Sequence, residues 1–125
     1  MEEHKNTRDI AERTFDCALR IIDLTHQLPD DQSGGVIKRQ LVRCGTSIGA
    51  NVEEAAAAYS RSDFIYRMNV ALKEARETHY WLRLVVAAGL IHSDRTDTVI
   101  SEVDEIRKIL GAIVSKARSN SRRPV

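Results

Sequence analysis

Four stretches of this chain repeat apolar residues at alternating steps of four and three, and three short breaks rich in Pro, Gly, Ser and Asp separate them. That spacing puts apolar side chains along one face of an α-helix and is incompatible with the period of two of a strand. It therefore restricts the fold to long helices laid side by side. The fourth stretch is the clearest, with Val99, Val103, Ile106, Leu110, Ile113 and Ala117 in sequence. The third places Phe64, Met68, Ala71, Ala75, Thr78, Leu82 and Val85 on one face, and the second Ile37, Leu41, Cys44, Ile48, Val52, Ala55 and Tyr59. The first has two adjoining stripes, Ala11, Phe15, Ala18, Leu19 and Ile22 beside Cys17, Ile21, Leu24 and Leu28, which predicts a broad buried face.

Local chemistry sets the ends. A first helix from about Thr7 to Leu28 stops at Pro29, which lacks the next backbone donor, and Ser33-Gly34-Gly35 favours a loop. A second runs from about Gly35 to Tyr59. Ser60-Arg61-Ser62-Asp63 has the form of a capping box and starts the third, which Gly89-Leu90 ends with a left-handed stop. Ser93-Asp94 offers the N-cap of a fourth helix reaching about Arg118. Connections this short make sequential helices antiparallel neighbours. The expected fold is all-α: an antiparallel up-down-up-down four-helix bundle forming one domain over residues 1–118, followed by a basic, disordered tail at residues 119–125.

Composition agrees. With six Gly, two Pro and six aromatic residues in 125, a β fold is disfavoured, and one domain of this size buries a core without disulfide or metal staples. Nineteen basic against eighteen acidic side chains leave a net charge of +1, so no whole-molecule field demands an acidic partner. The charge is unevenly spread: residues 1–32 hold four basic and eight acidic groups, residues 33–125 fifteen and ten. Cys17 and Cys44 fall among apolar helical positions and read as reduced thiols of a cytoplasmic protein. No apolar run approaches the roughly 20 residues of a membrane span, and Met1-Glu2-Glu3-His4-Lys5 is too polar for a signal peptide.

Few motifs point to chemistry. Gly45-Thr46-Ser47-Ile48-Gly49 matches the G-x-S-x-G elbow of serine hydrolases, but that elbow needs a strand before the serine, and here the helical stripe continues on both sides. Gly45 and Gly49 one turn apart instead predict close approach of a neighbouring backbone. His4, His26, His79 and His92 are scattered without metal-ligand spacing, so no metal or other cofactor is expected and the chain reads as a non-enzyme. A polar stripe of Arg43, Ser47, Asn51 and Glu54 runs beside the apolar face of the second helix, and Glu74, Arg76 and Glu77 on the third are placed to answer it. Its bland reading is a polar network that fixes helix register. Arg76, Tyr80 and Arg83, next to Trp81, have the interleaving of guanidinium and aromatic groups found in single-strand nucleic-acid platforms. Lys38, Arg39 and Arg43 near the start of the second helix, with Lys116, Arg118, Arg122 and Arg123 at the C-terminal end, add to that reading, and Lys38, Arg39, Arg122 and Arg123 are the other candidate contacts.

Two stretches also resemble a family. Arg43-Cys44-Gly45-Thr46-Ser47-Ile48-Gly49-Ala50-Asn51-Val52-Glu53-Glu54-Ala55, and Ala71-Leu72-Lys73-Glu74-Ala75-Arg76-Glu77-Thr78-His79-Tyr80-Trp81-Leu82 downstream of Ser62-Asp63-Phe64, are similar to bacterial four-helix-bundle proteins encoded within intervening sequences of large-subunit ribosomal RNA genes. Ala55 departs from the Gly common there. The resemblance implies a homopentamer and no catalytic residue, with Arg43, Ser47, Asn51, Glu54, Glu74 and Glu77 as structural signature positions. It also implies a distant similarity to the accessory variability protein of diversity-generating retroelements, which pairs with a reverse transcriptase and binds nucleic acid through a basic surface. The near-neutral charge of this chain departs from that basic protein. The expected function is a non-enzymatic oligomeric accessory module that binds RNA or DNA, or a protein that handles them; the alternative is a purely structural homo-oligomer.

Overall fold

A computed structural model describes residues 2–121, and side chains from residue 10 to residue 120 other than that of residue 93. It contains four helices in order, α1 (Glu2–Thr25), α2 (Gln32–Ala56), α3 (Arg61–Ala87) and α4 (Ser93–Ser121). α1 packs on α2, α2 on α3, α3 on α4 and α4 back on α1, while the backbones of the diagonal pairs stay farther apart among the described residues. Paired positions run in opposite directions: Thr14 and Ile21 of α1 face Gly49 and Gly45 of α2, and Arg43 and Asn51 of α2 meet Glu77 and Arg67 of α3. The arrangement is the antiparallel four-helix bundle that the periodicity predicts.

The helix ends differ from the expected ones for local reasons. α1 stops at Thr25 rather than Leu28; His26, Gln27 and Leu28 each donate an N–H to the carbonyl three residues back, at 3.1–3.2 Å. This tighter turn leads into Pro29, whose ring disfavours helical geometry in the residue before it. α2 starts at Gln32, three residues before the predicted Gly35, because Asp31 is extended and its carboxylate accepts the Gly34 N–H at 2.7 Å. The glycine pair lies in the first turn of α2. α2 also ends early, at Ala56, so Tyr59 is fully exposed and does not belong to the buried face.

Ser60 caps α3 by accepting the Asp63 N–H at 3.1 Å. At the other end Gly89 has φ +67°, and the N–H groups of Gly89 and Leu90 donate to Val86 and Val85, each at 3.0 Å. This is the paired closure in which a left-handed glycine satisfies the last carbonyls. α4 begins at Ser93, one residue ahead of an Asp94 start, and the Thr96 hydroxyl donates to the His92 carbonyl at 2.8 Å. It continues through Ser121, three residues past the predicted end, so positions 119–121 of the expected tail are helical; Arg122, Arg123 and the rest of the tail lie outside the described residues.

The core is built by the predicted stripes of α2, α3 and α4, with Leu41, Cys44, Ile48, Val52, Met68, Ala75, Leu82, Val85, Val103, Ile106 and Leu110 almost free of solvent contact. Each large aliphatic side chain among them contributes about 1.5–3 kcal/mol by leaving water. At the end of α4 the buried position is Val114, and Ile113 is only partly covered. On α1 the outcome departs from the expectation of one broad buried face. Ile10, Thr14, Cys17, Ile21 and Leu24 are buried, whereas Phe15 is 62% and Leu19 54% exposed. A helix at the corner of a square bundle needs one apolar stripe for the core, so the edge of α1 that carries Phe15 and Leu19 faces outward. Thr14 is accommodated inside because its hydroxyl donates to the Ile10 carbonyl at 2.8 Å.

Candidate functional site

The polar stripe of α2 meets α3 as an ion-pair clamp. Arg43 Nη1 donates to Glu74 Oε2 at 3.1 Å, and Nη2 donates to Glu77 Oε2. Trp81 Nε1 also donates to Glu77 Oε2, at 3.1 Å, and fixes that carboxylate one turn from its own position. The Arg43 hydrogen bond holds Glu77 below the usual carboxylate range, and the same bond raises the Arg43 guanidinium. Ser47 and Asn51 turn back on their own helix, donating to the carbonyls of Arg43 at 2.7 Å and Ser47 at 2.9 Å. Asn51 Oδ1 receives a long contact of 3.5 Å from Arg67, a partner absent from the sequence reading. Arg76 does not answer this stripe, because it lies on the α4 side of α3. Glu54 is exposed. The clamp joins two helices and fixes their register; half-exposed pairs of this kind contribute about 0–1 kcal/mol each.

Ser47 sits in the middle of α2, so the strand–turn–helix geometry of a nucleophile elbow is not formed around it. Gly45 and Gly49 serve the packing predicted for them: a Cβ at Gly45 would lie 2.9 Å from Ile21 Cδ1, and one at Gly49 3.2 Å from Thr14 Oγ1. Cys17 and Cys44 are free and buried, and burial pushes the Cys17 thiol up to about 12 and raises Cys44 as well. Neither is a thiolate at neutral pH. No group of three or more His, Cys, Asp or Glu suited to a metal occurs among the described residues.

The candidate nucleic-acid contacts divide between two faces. Lys38 and Arg39 are exposed in the first half of α2, and the Arg39 guanidinium lies back over Gly35. Arg76 and Arg83 are exposed on α3, two turns apart. Arg83 and Arg107 both act on the imidazole of His79, whose pKa is lowered first by burial and then by Arg83. Beside them Asp104 pairs with Arg107 and with Lys108, the latter at 3.3 Å. Arg76 shares a groove with Arg118 of α4, one of the basic residues at the C-terminal end of the chain. The α3/α4 face thus gathers Arg76, Arg83, Arg107 and Arg118, and Lys38 and Arg39 are not joined to it by any contact among the described residues.

Tyr80 is 50% exposed, with its ring edge-on to Trp81 at 5.5 Å between centroids. It is therefore not stacked between guanidinium groups; the cation–π contact that forms is Arg67 over Tyr66, at 5.7 Å. A further pair unseen in the sequence links α1 to α4, where Arg13 forms a fork with Glu102 at 2.7 and 3.1 Å. No helix is long and apolar enough to cross a membrane among the described residues.

The sequence profile of the 23S rRNA-intervening sequence proteins matches residues 6–112. A crystal structure of a protein of unknown function from the S23 ribosomal protein family of Bacteroides thetaiotaomicron, at 1.70 Å resolution, is 38% identical to this chain. The similarity spans 88% of this chain and 98% of that one, with a TM-score of 0.81. No curated protein matches the chain.

Proposed function

The chain belongs to the 23S rRNA-intervening sequence protein family, and from that membership we propose that it is a non-enzymatic, self-associating accessory module that binds single-stranded nucleic acid along its α3/α4 face. The observation behind the reading is local charge. Arg76, Arg83 and Arg118 form no hydrogen bond or ion pair among the described residues, while Arg13, Arg43, Arg107 and Lys108 are neutralised by carboxylates. Unpaired guanidinium groups on one face are suited to phosphate. The net charge of +1 makes one copy a weak binder, and repetition around an oligomer, a ring of five as first choice, multiplies that affinity.

A structural homo-oligomer without nucleic acid is the second reading, favoured by the outward stripe of α1. Phe15 and Leu19 stand one turn apart and exposed, and an apolar patch on a helix face suits a protein contact. Fluorescence anisotropy with a labelled single-stranded RNA at low salt separates the two. Binding by the native chain that is lost in Arg76→Ala/Arg83→Ala supports the nucleic-acid module, and no binding by either leaves the structural reading.

A further inference from the structure

Between α3 and α4, toward the C-terminal end of α4, lies an open groove of ≈ 650 Å³. Its size falls within the range of small-ligand sites, about 300–1,000 Å³. Arg76 and Arg118 supply its charge, Asn69, Ser115 and Ser119 its neutral polar groups, and Leu72 and Val114 its floor. Three properties characterise it. No carboxylate lines it, although acidic groups make up 18 of the 125 residues. Neither the arginines nor the amide and hydroxyl side chains of the groove are engaged in a hydrogen bond among the described residues. Gly111 opens its wall, because a Cβ built there would meet nothing within 4 Å.

We infer that this groove is a phosphate–ribose subsite for single-stranded RNA, in which Arg76 and Arg118 hold a backbone phosphate and Asn69, Ser115 and Ser119 hydrogen-bond the sugar hydroxyls. The inference rests on the nucleic-acid reading above and adds to it a location and a preference. The floor side chains are almost wholly buried, Leu72 at 6% and Val114 at 3% exposure, so little apolar surface is left on which a base would stack. Polar walls fit the backbone instead. Two guanidinium groups contribute charge-assisted hydrogen bonds to phosphate oxygens. Hydroxyl and amide groups are able to engage the 2′-OH, the group that separates RNA from DNA. Arg118 also lies in the last turn of α4, where a cation offsets the negative end of the helix dipole. That role requires charge alone and is indifferent to what occupies the groove.

The test compares dodecameric oligouridylate with its deoxy counterpart, binding to the native chain, Gly111→Leu, Arg118→Gln and Arg76→Ala/Arg83→Ala, with the fold of each checked by circular dichroism. Gly111→Leu fills the groove without altering charge and replaces glycine at an open helical position. The native chain is expected to prefer RNA, and Gly111→Leu and Arg118→Gln each to weaken RNA binding about tenfold or more, the scale of one lost charge-assisted hydrogen bond. If Gly111→Leu binds RNA as the native chain does while Arg76→Ala/Arg83→Ala does not, the groove is overturned and the α3/α4 face stands. Equal affinity for RNA and DNA overturns the ribose contacts. Absence of any binding by the native chain overturns both the groove and the reading beneath it.

Discussion

Thr14 of α1 lies directly against Gly49 of α2: a Cβ at Gly49 would sit 3.2 Å from the Thr14 hydroxyl oxygen and 3.4 Å from its carbonyl carbon. The contact at Gly45 with Ile21 is closer still. Larger side chains at either glycine must push α1 away from α2, so Gly45→Leu and Gly49→Leu are each expected to cost about 1–3 kcal/mol in urea denaturation. Gly111→Ala, with open space around it, should instead stabilise by up to about 1 kcal/mol through helix propensity. Unchanged stability in both leucine variants would show that the two helices do not approach this closely.

The turn between α1 and α2 offers a sharper contrast within two adjacent positions. A Cβ at Gly34 would lie 1.9 Å from the Pro29 carbonyl oxygen, a backbone atom, while one at Gly35 would meet only the flexible Arg39 guanidinium at 3.6 Å. Gly34→Ala should destabilise by about 1–3 kcal/mol and Gly35→Ala should be neutral or mildly stabilising. Thermal melts that rank the two in the opposite order would contradict the geometry of this turn.

Acid should weaken the fold in two steps whose signs follow from the shifts. His79 is held below its ordinary 6.5 by burial and by Arg83, so the unfolded chain binds the proton first, and stability declines as pH falls below about 6.5. Glu77 is held below 4.5 by Arg43, so its contribution is present above that value and is lost as pH falls through the lower native value. With both partners of the clamp more than a third exposed, Glu77→Gln should cost on the order of 1 kcal/mol or less at neutral pH. NMR titration of His79 gives the first step directly: Arg83→Ala should raise its pKa, and an unchanged value would place Arg83 too far away to act.

The outward stripe of α1 makes self-association testable without touching the core. Phe15→Glu/Leu19→Glu adds charge to exposed positions and should leave helicity intact while shifting sedimentation toward the 14.1 kDa single chain. A native protein that already sediments as a single chain at micromolar concentration would remove the oligomer from the account.

The sequence made the bundle legible because periodicity alone decides which face of α2, α3 and α4 is buried, and Met68, Leu82 and Ile106 lie where it puts them. It was less informative on α1, where two stripes of equal apolar character compete and packing against both α2 and α4 decides that Cys17 and Ile21 turn inward and Phe15 outward. Arg43, Glu74 and Glu77 were readable as a facing set because their spacing places them on adjoining helices. Arg76 was not assignable between the two sides of α3, since one helical position faces α2 or α4 according to rotation that no local pattern fixes. Ser115, and the sharing of one groove by Arg76 and Arg118, are not legible for the related reason that a groove is a property of two helices together. The wide spacing of Arg76 and Arg118 in sequence conceals that they line one groove.

The salt dependence of RNA binding tests the central claim most directly. Each phosphate neutralised on a single strand contributes about −0.7 to the slope of log affinity against log salt. If Arg76 and Arg83 are contacts, Arg76→Ala/Arg83→Ala should bind more weakly and flatten that slope by about 1.4 per bound subunit. Identical slopes for the native chain and the double variant, or no binding by the native chain at low salt, would contradict a nucleic-acid role for the α3/α4 face.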